Sequence, residues 1–421
     1  MAQATYTVTT SSSSVNKIWR KVQGELATGY GFAVPEWDMM DSIKPYSIDV
    51  SAREFTVPLD INEGAGIASI DEGSLEARPF SPNVEELTLN YVLFSGRFTA
   101  SVTAQLLDQH QRGAELVRQI VYQGKKKVQD MARHWGDYFY GLSTAALAQT
   151  STVATQSSGT YTLKFAYGQS TITNAALIAD KFKVNDWVAL VRAGALVANA
   201  IGQVTAVSSA TPSITVTWNG SVTSADNDNV TKANALGNTV LGDTDWNKGM
   251  TGLIDMALTT TVHSLSGSTV PNWNAAYSTT TATRFSGIDL HRFKQEIEFQ
   301  GGGTMDRLFM APGVDRDVLA LQQAALRFSD PFALELDGSI KTGGIKRVVT
   351  KRVPSSWVFG FDSTAVRKLD VMPKVDGSGM AWGDGIRLID SSGYVFPVSQ
   401  LAQMVILNRK KFCYANSKTE Q

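Results

Sequence analysis

From Arg53 to Asn62 the chain reads REFTVPLDIN, with Phe55, Val57, Leu59 and Ile61 at every second position. Alternation of this kind predicts a strand with one face against a core and one toward solvent. Residues 86–94, ELTLNYVLF, alternate again through Leu87, Leu89, Tyr91 and Leu93. Between the two lies EGAGIASIDEGSLEARPFSPNV, punctuated by glycine and too long for a tight turn. The pair therefore predicts a long hairpin with an elaborate tip. A two-stranded hairpin is marginal alone and has to lie against something. The period then changes. Leu116/Val117, Ile120/Val121, Val128, Met131, Trp135, Tyr138/Phe139 and Leu142 recur at three-to-four spacing. That stripe predicts a helix over 114–142, about 43 Å long at 1.5 Å per residue. Lys125, Lys126 and Lys127 fall in its middle, so part of its circumference faces solvent or an acidic neighbour.

The remaining pattern divides the chain. Residues 1–45 mix a Ser/Thr tract with a short amphipathic piece around Val15 to Val22, broken by Pro35 and Pro45. They read as a weakly basic arm extended over something else. From Ala193 to Ala225 no residue is charged, and Val, Ile and Thr recur in IGQVTAV and SITVTWNG. With FKVNDWVALV ahead of them, these segments predict a small β subdomain over 160–240, inserted into the larger chain. The alternative is that they belong to the main sheet. Residues 288–328 return to mixed texture: IDLHRFKQEIEF is amphipathic, DRLFMAP a short buried strand, and GVDRDVLALQQAALRF a helix opening after Pro312. IKRVVTKRVPSSWVFGF and QLAQMVILNRKKFCYA supply strands to the chain end. No internal repeat of fixed period is visible.

Composition narrows the function classes. The 421 residues carry a formal net charge of -1, so bulk attraction to nucleic acid or to an acidic membrane is not the working principle. Charged residues make up 18%, below the roughly 25% of typical soluble domains. Either partners cover much of the surface, or a Ser/Thr-rich β chain simply needs fewer charges. The single cysteine, Cys413, predicts a small buried apolar residue and no disulfide framework. The opening MAQATYTVTTSSSS has no basic and apolar regions of a secretory signal, and no apolar run approaches a membrane span. The expectation is a soluble product made inside the cell.

Reactive chemistry is mostly missing from the pattern. His110, His134, His263 and His291 are scattered without a metal-binding spacing, so no metal is expected. No nucleophile elbow and no phosphate loop occur. Gly64 and Gly66 in EGAGIAS echo a dinucleotide fingerprint without its third glycine or its helix, and no cofactor is expected. Asp226 and Asp228 in SADNDN have the spacing that opens a calcium loop, but its glycine and terminal glutamate are missing, and a solvated turn is the plainer account. No enzyme is expected.

Charge, though, is segregated. Residues 54–86 hold Glu54, Asp60, Glu63, Asp71, Glu72, Glu76, Glu85 and Glu86 against Arg78, a net of -7. Residues 112–134 hold Arg112, Arg118, Lys125, Lys126, Lys127 and Arg133 against Glu115 and Asp130, a net of +4. Residues 341–352 add Lys341, Lys346, Arg347, Lys351 and Arg352, a net of +5 with no acid. One explanation is balance within the molecule. The sharper one sets Glu63, Asp71, Glu72 and Glu76 of the hairpin on Lys125, Lys126, Lys127, Lys346, Arg347, Lys351 and Arg352 of an adjacent copy. Complementary patches of that kind fix register more than they add affinity.

In order, the chain has an arm, an acidic hairpin, a long helix, a β insertion and a mixed region returning in a final strand. FTVPLDINEGAGIASIDEGS, LLDQHQRGAELVRQIVYQGKKKVQDMARHW and LFMAPGVDRDVLALQQAALRF carry a resemblance across most of the chain. It resembles the major capsid proteins of tailed double-stranded-DNA phages, the Hong-Kong-ninety-seven fold. That resemblance implies an α+β fold with an N-terminal arm (1–45), an E-loop hairpin (46–105), and a peripheral domain with its spine helix (106–150). It further implies the β insertion (160–240), an axial domain (245–340) and axial and peripheral strands (341–421). It implies a virion protein assembled in the host cytoplasm into hexamers and pentamers, with a portal at one vertex. Scaffolding and cement proteins and non-specifically packaged DNA would be its other partners, with no membrane. Some members weld neighbours through an isopeptide bond from a hairpin lysine. Here no lysine lies between Lys44 and Lys125, so a shell without that weld is expected. Encapsulin-type nanocompartments share the implied fold and are the rival reading; a β-rich surface adhesin and an enzyme with an unrecognised site are the others.

Overall fold

The computed structural model describes Glu36 and residues 39–43, 46–49, 54–62, 83–101, 114–151, 155–164, 176–233, 240–270, 273–326, 341–342, 345–369, 380–382, 386–387 and 393–419. They fall into two compact units.

The first unit takes the described residues of 1–44, 91–136 and 368–403. Its main pairing is antiparallel, strand Val92–Ser101 against Gly393–Ala402, from Val92↔Ala402 to Ser101↔Gly393. Met380–Trp382 and Ile386–Arg387 pair with the far side of the second strand. Val92, Phe94 and Phe98 are buried while Leu93 and Arg97 are exposed, and Phe98 stacks on Phe396 at 5.1 Å. The long helix, α1 (Ala114–Phe139), runs over this sheet at Gly96. A Cβ at Gly96 would stand 2.5 Å from Lys127 Cε, so the missing side chain makes room for the lysine stem. Phe94 meets His134 of α1 edge-on at 5.4 Å. Lys368 and Leu369 pair in parallel with Ser42 and Ile43.

The sequence pattern treats 86–94 as one strand, and the structure does not. Asn83–Asn90 pairs with Glu54–Asn62, whereas Val92 begins the strand of the first unit. The alternation slips by one at this point. Leu87 and Leu89 are buried, then Val92 and Phe94, and Leu93, expected inward, is exposed. A one-residue slip exchanges the faces of a strand, which is why a single periodic run joined two.

The second unit takes the described residues of 45–90, 137–367 and 404–421. In the hairpin base, Phe55, Val57, Leu87 and Leu89 are buried within the single chain, and Ser47–Asp49 adds a third strand. The core is a six-stranded sheet in the order 277–279, 412–415, 358–361, 307–310, 345–349, 341–342. Strand Arg307–Met310 is joined to its parallel neighbour Ile345–Val349 by a connection containing α4 (Pro312–Leu326), whose fixed-φ proline starts the helix. Ahead of them lie the short α2 (Leu253–Leu258) and the longer α3 (Gly287–Gly301). A capping box between Ser286 and Asp289 starts α3 and Gly302, at φ 60°, ends it. The sheet is filled with rings: Phe139 and Tyr140 pack on Phe309 at 5.9 and 6.3 Å, and Trp357 stacks on Phe359 at 5.3 Å. Such pairs add about 0.5–1.5 kcal/mol each beyond area burial.

The uncharged stretch belongs to a closed barrel in the order 213–223, 155–164, 148–150, 229–232, 187–192, 195–208. Tyr161, Leu190, Ile201, Val204, Ile214, Val216 and Val230 are buried in it, and Trp218 Nε1 donates to Tyr161 Oη at 2.7 Å. Its first strand, Ala148–Thr150, lies upstream of the stretch whose Val/Ile/Thr texture marks the barrel in the sequence.

Candidate assembly surfaces

Of the acidic candidates, Glu63, Asp71, Glu72 and Glu76 lie outside the described residues. At the hairpin base Phe55, Val57, Leu87 and Leu89 are buried within one chain, while Leu59 is half-buried.

The basic candidates divide by orientation. Lys125 and Lys126 on α1 are exposed, and Lys127 is half-buried along Gly96. Lys346 and Arg352 are half-buried. Lys351 is exposed and faces Asp180 at 3.6 Å; with side chains 72% and 51% exposed, the pair adds little stability. Arg347 points inward. Only 4% exposed, its Nη1 stands 3.0 Å from Asp315 Oδ1 of α4. Burial lowers the Arg347 pKa and raises that of Asp315, each only partly opposed by the other's charge. Its charge is answered inside the subunit.

Asp226, Asp228, Cys413 and His263, which look reactive in the sequence, have structural partners. Asp228 receives Arg192 Nε and Nη2 at 2.7 and 2.8 Å and the Ala225 N–H at 2.7 Å, and Asp226 pairs with Lys164 at 2.5 Å. Cys413 is buried with its Sγ 3.8 Å from the Phe293 carbonyl, and burial pushes the thiol up to about 12. His263 is buried, and its Nε2 accepts the Ile406 N–H at 3.2 Å, so the ring is neutral. Burial, then the Arg409 charge, lowers its pKa to about 3. His134 is half-buried, His291 is exposed on α3, and His110 is outside the described residues. Among the described residues no group of three or more His, Cys, Asp or Glu stands where it could hold a metal. No helix of the described residues is long and apolar enough to cross a membrane.

One residue the pattern gives no sign of is Arg409. Within the basic run NRKK it looks like surface, yet it is 3% exposed. Its guanidinium donates to the Met256, Thr259 and Trp273 carbonyls at 2.7, 3.1 and 3.1 Å, satisfying the C-terminal end of α2.

The architecture is a phage-capsid fold, a mixed helix-and-sheet chain. It matches the cyanophage A-1(L) capsid asymmetric unit with a TM-score of 0.52 at 10% identity, covering 92% of this chain and 93% of that one. The capsid of a native GTA particle aligns at TM-score 0.46 and 10% identity, over 91% and 89% of the two chains. A virus-like particle from Pyrococcus furiosus aligns at 0.41 and 8%, over 94% and 98%. No family model and no curated protein sequence matches the chain.

Proposed function

We propose that this chain is the major capsid protein of a tailed phage, assembling into the icosahedral head that encloses packaged double-stranded DNA. The observation that carries the reading is the end-to-end likeness to the cyanophage capsid chain, over more than nine-tenths of both molecules. Its role is architectural rather than catalytic. In this reading the hairpin 54–90 is the base of the E-loop, α1 is the spine helix of the peripheral domain, and the barrel is an insertion. The acidic hairpin tip meets Lys125 and Lys126 of an adjacent copy, in hexamers and pentamers closed by heterologous contacts. A portal, scaffolding and cement proteins, and assembly in the host cytoplasm belong to the same proposal. Negative-stain microscopy of the overexpressed chain tests it. Closed shells are expected, and a homogeneous population of dispersed monomers at high concentration overturns it. Shells holding an enzyme and no DNA in the native host would select the nanocompartment instead.

A further inference from the structure

Strand Ser213–Thr223 is registered against 155–164 through Thr217 and again at Val222 and Thr223, and against 195–208 only as far as Trp218. Asn219, Gly220 and Ser221 fall in the gap, without a registered partner on either side. Asn219 and Ser221 are exposed and Gly220 is half-buried. Irregular positions of this kind are freed from the ladder that holds the rest of a strand. Asn219–Gly220 is also the one Asn-Gly step in the sequence. Glycine presents no Cβ to shield its own backbone nitrogen, so the preceding side chain can close on it.

We propose that Asn219 is a site of spontaneous deamidation. The Gly220 backbone nitrogen attacks Asn219 Cγ; the N–Cγ bond forms, the Cγ–Nδ2 bond breaks, and the nitrogen's proton leaves with the departing ammonia. The five-membered imide then takes up water at one of its two carbonyls and opens to aspartate or isoaspartate. One water is consumed and one ammonia released, with no oxidation or reduction. The other asparagines of this region are worse placed. Asn199 and Asn229 sit in strands before residues that carry a Cβ, and Asn227 precedes Asp228, which Arg192 holds.

The product changes the barrel surface. Between Ala193 and Ala225 the sequence has no charged side chain. The exposed side near the gap is lined by paired hydroxyls, with Thr155–Thr223 and Thr160–Thr215 each 2.9 Å apart. Deamidation puts a negative charge on that face, and the isoaspartate form adds a backbone methylene to the strand.

The full-length chain is incubated at mildly alkaline pH, native and in urea, and the tryptic peptide spanning 193–232 is followed for the mass gain of an amide-to-acid conversion. Fragment ions locate it, and enzymatic carboxyl methylation detects isoaspartate. Conversion at 219 in the native chain within about tenfold of the rate in urea, and lost in N219Q, is expected from a position outside the ladder. A native rate more than about tenfold below the urea rate, or a mass gain at another asparagine, overturns the assignment.

Discussion

Acidification should weaken this fold through His263, and the size of the effect follows from its surroundings. The imidazole is buried, and its Nε2 accepts the Ile406 N–H. Burial disfavours the cation, the Arg409 charge disfavours it further, and the pKa falls from 6.5 to about 3. The sign is that of a group kept neutral by folding. Below the unfolded value the denatured chain binds a proton that the native chain refuses, so stability is complete above about pH 6.5 and is lost as pH falls toward 3. Between about pH 7 and about pH 5 the loss is about 2 kcal/mol. Asp255, whose carboxylate feels the Arg409 charge, is shifted the opposite way, its pKa raised first by burial. The measurement must therefore be a difference between chains that both carry Asp255. His263→Gln keeps a side-chain acceptor for the Ile406 N–H and removes the titration. Urea unfolding of unassembled subunits, followed by tryptophan fluorescence, should show the wild type losing about 2 kcal/mol more than the variant between the two pH values. Equal losses in both chains would show that the buried imidazole does not govern acid sensitivity and would refute the reasoning.

Three other outcomes are expected. Boiling assembled particles in SDS should release a single band near 45.5 kDa; a ladder of covalent multimers would contradict the account based on the lysine-free hairpin. Glu63→Lys, Asp71→Lys and Glu72→Lys together should leave the subunit's circular dichroism unchanged and block particle formation, whereas normal particles in low salt would remove the inter-subunit role of the hairpin. Arg347→Met should cost about 3 kcal/mol by leaving Asp315 as an unpaired buried acid, and adding Asp315→Leu should return most of it; a full loss in the double variant would mean that packing, not charge, was removed.

How far the sequence could be read depended on what each residue's neighbours in the chain reveal. Phe55, Val57, Leu87 and Leu89 carry a local period, and their burial followed from it. The amphipathic run IDLHRFKQEIEF is local in the same way and falls within α3, whereas the caps at Ser286 and Gly302 were not among the elements read from the sequence. The change of partner at Tyr91 was invisible, since two strands that meet in sequence produce one almost unbroken alternation. Ala148–Thr150 is too short to have any period, and it joins the barrel through pairing with residues far along the chain. Orientation of charge was the other blind spot. Arg347 and Arg409 stand in basic runs that look like surface, yet each is turned inward by a non-local acceptor.

That blind spot alters the proposed assembly contact in a definite way. With Arg347 paired to Asp315, the +5 of residues 341–352 overstates what a neighbour meets. Of the basic candidates, Lys125, Lys126 and Lys351 are exposed, and Lys351 already faces Asp180. Exposed pairs contribute about 0–1 kcal/mol each and are screened by salt. Two or three such pairs per subunit cannot by themselves hold a neighbour against the entropy of association. In a closed shell, however, every subunit repeats them, and contacts made after the first are effectively intramolecular. In the proposed assembly the acidic hairpin and the helix lysines would therefore choose the register in which copies meet, while apolar burial would have to supply the cohesion.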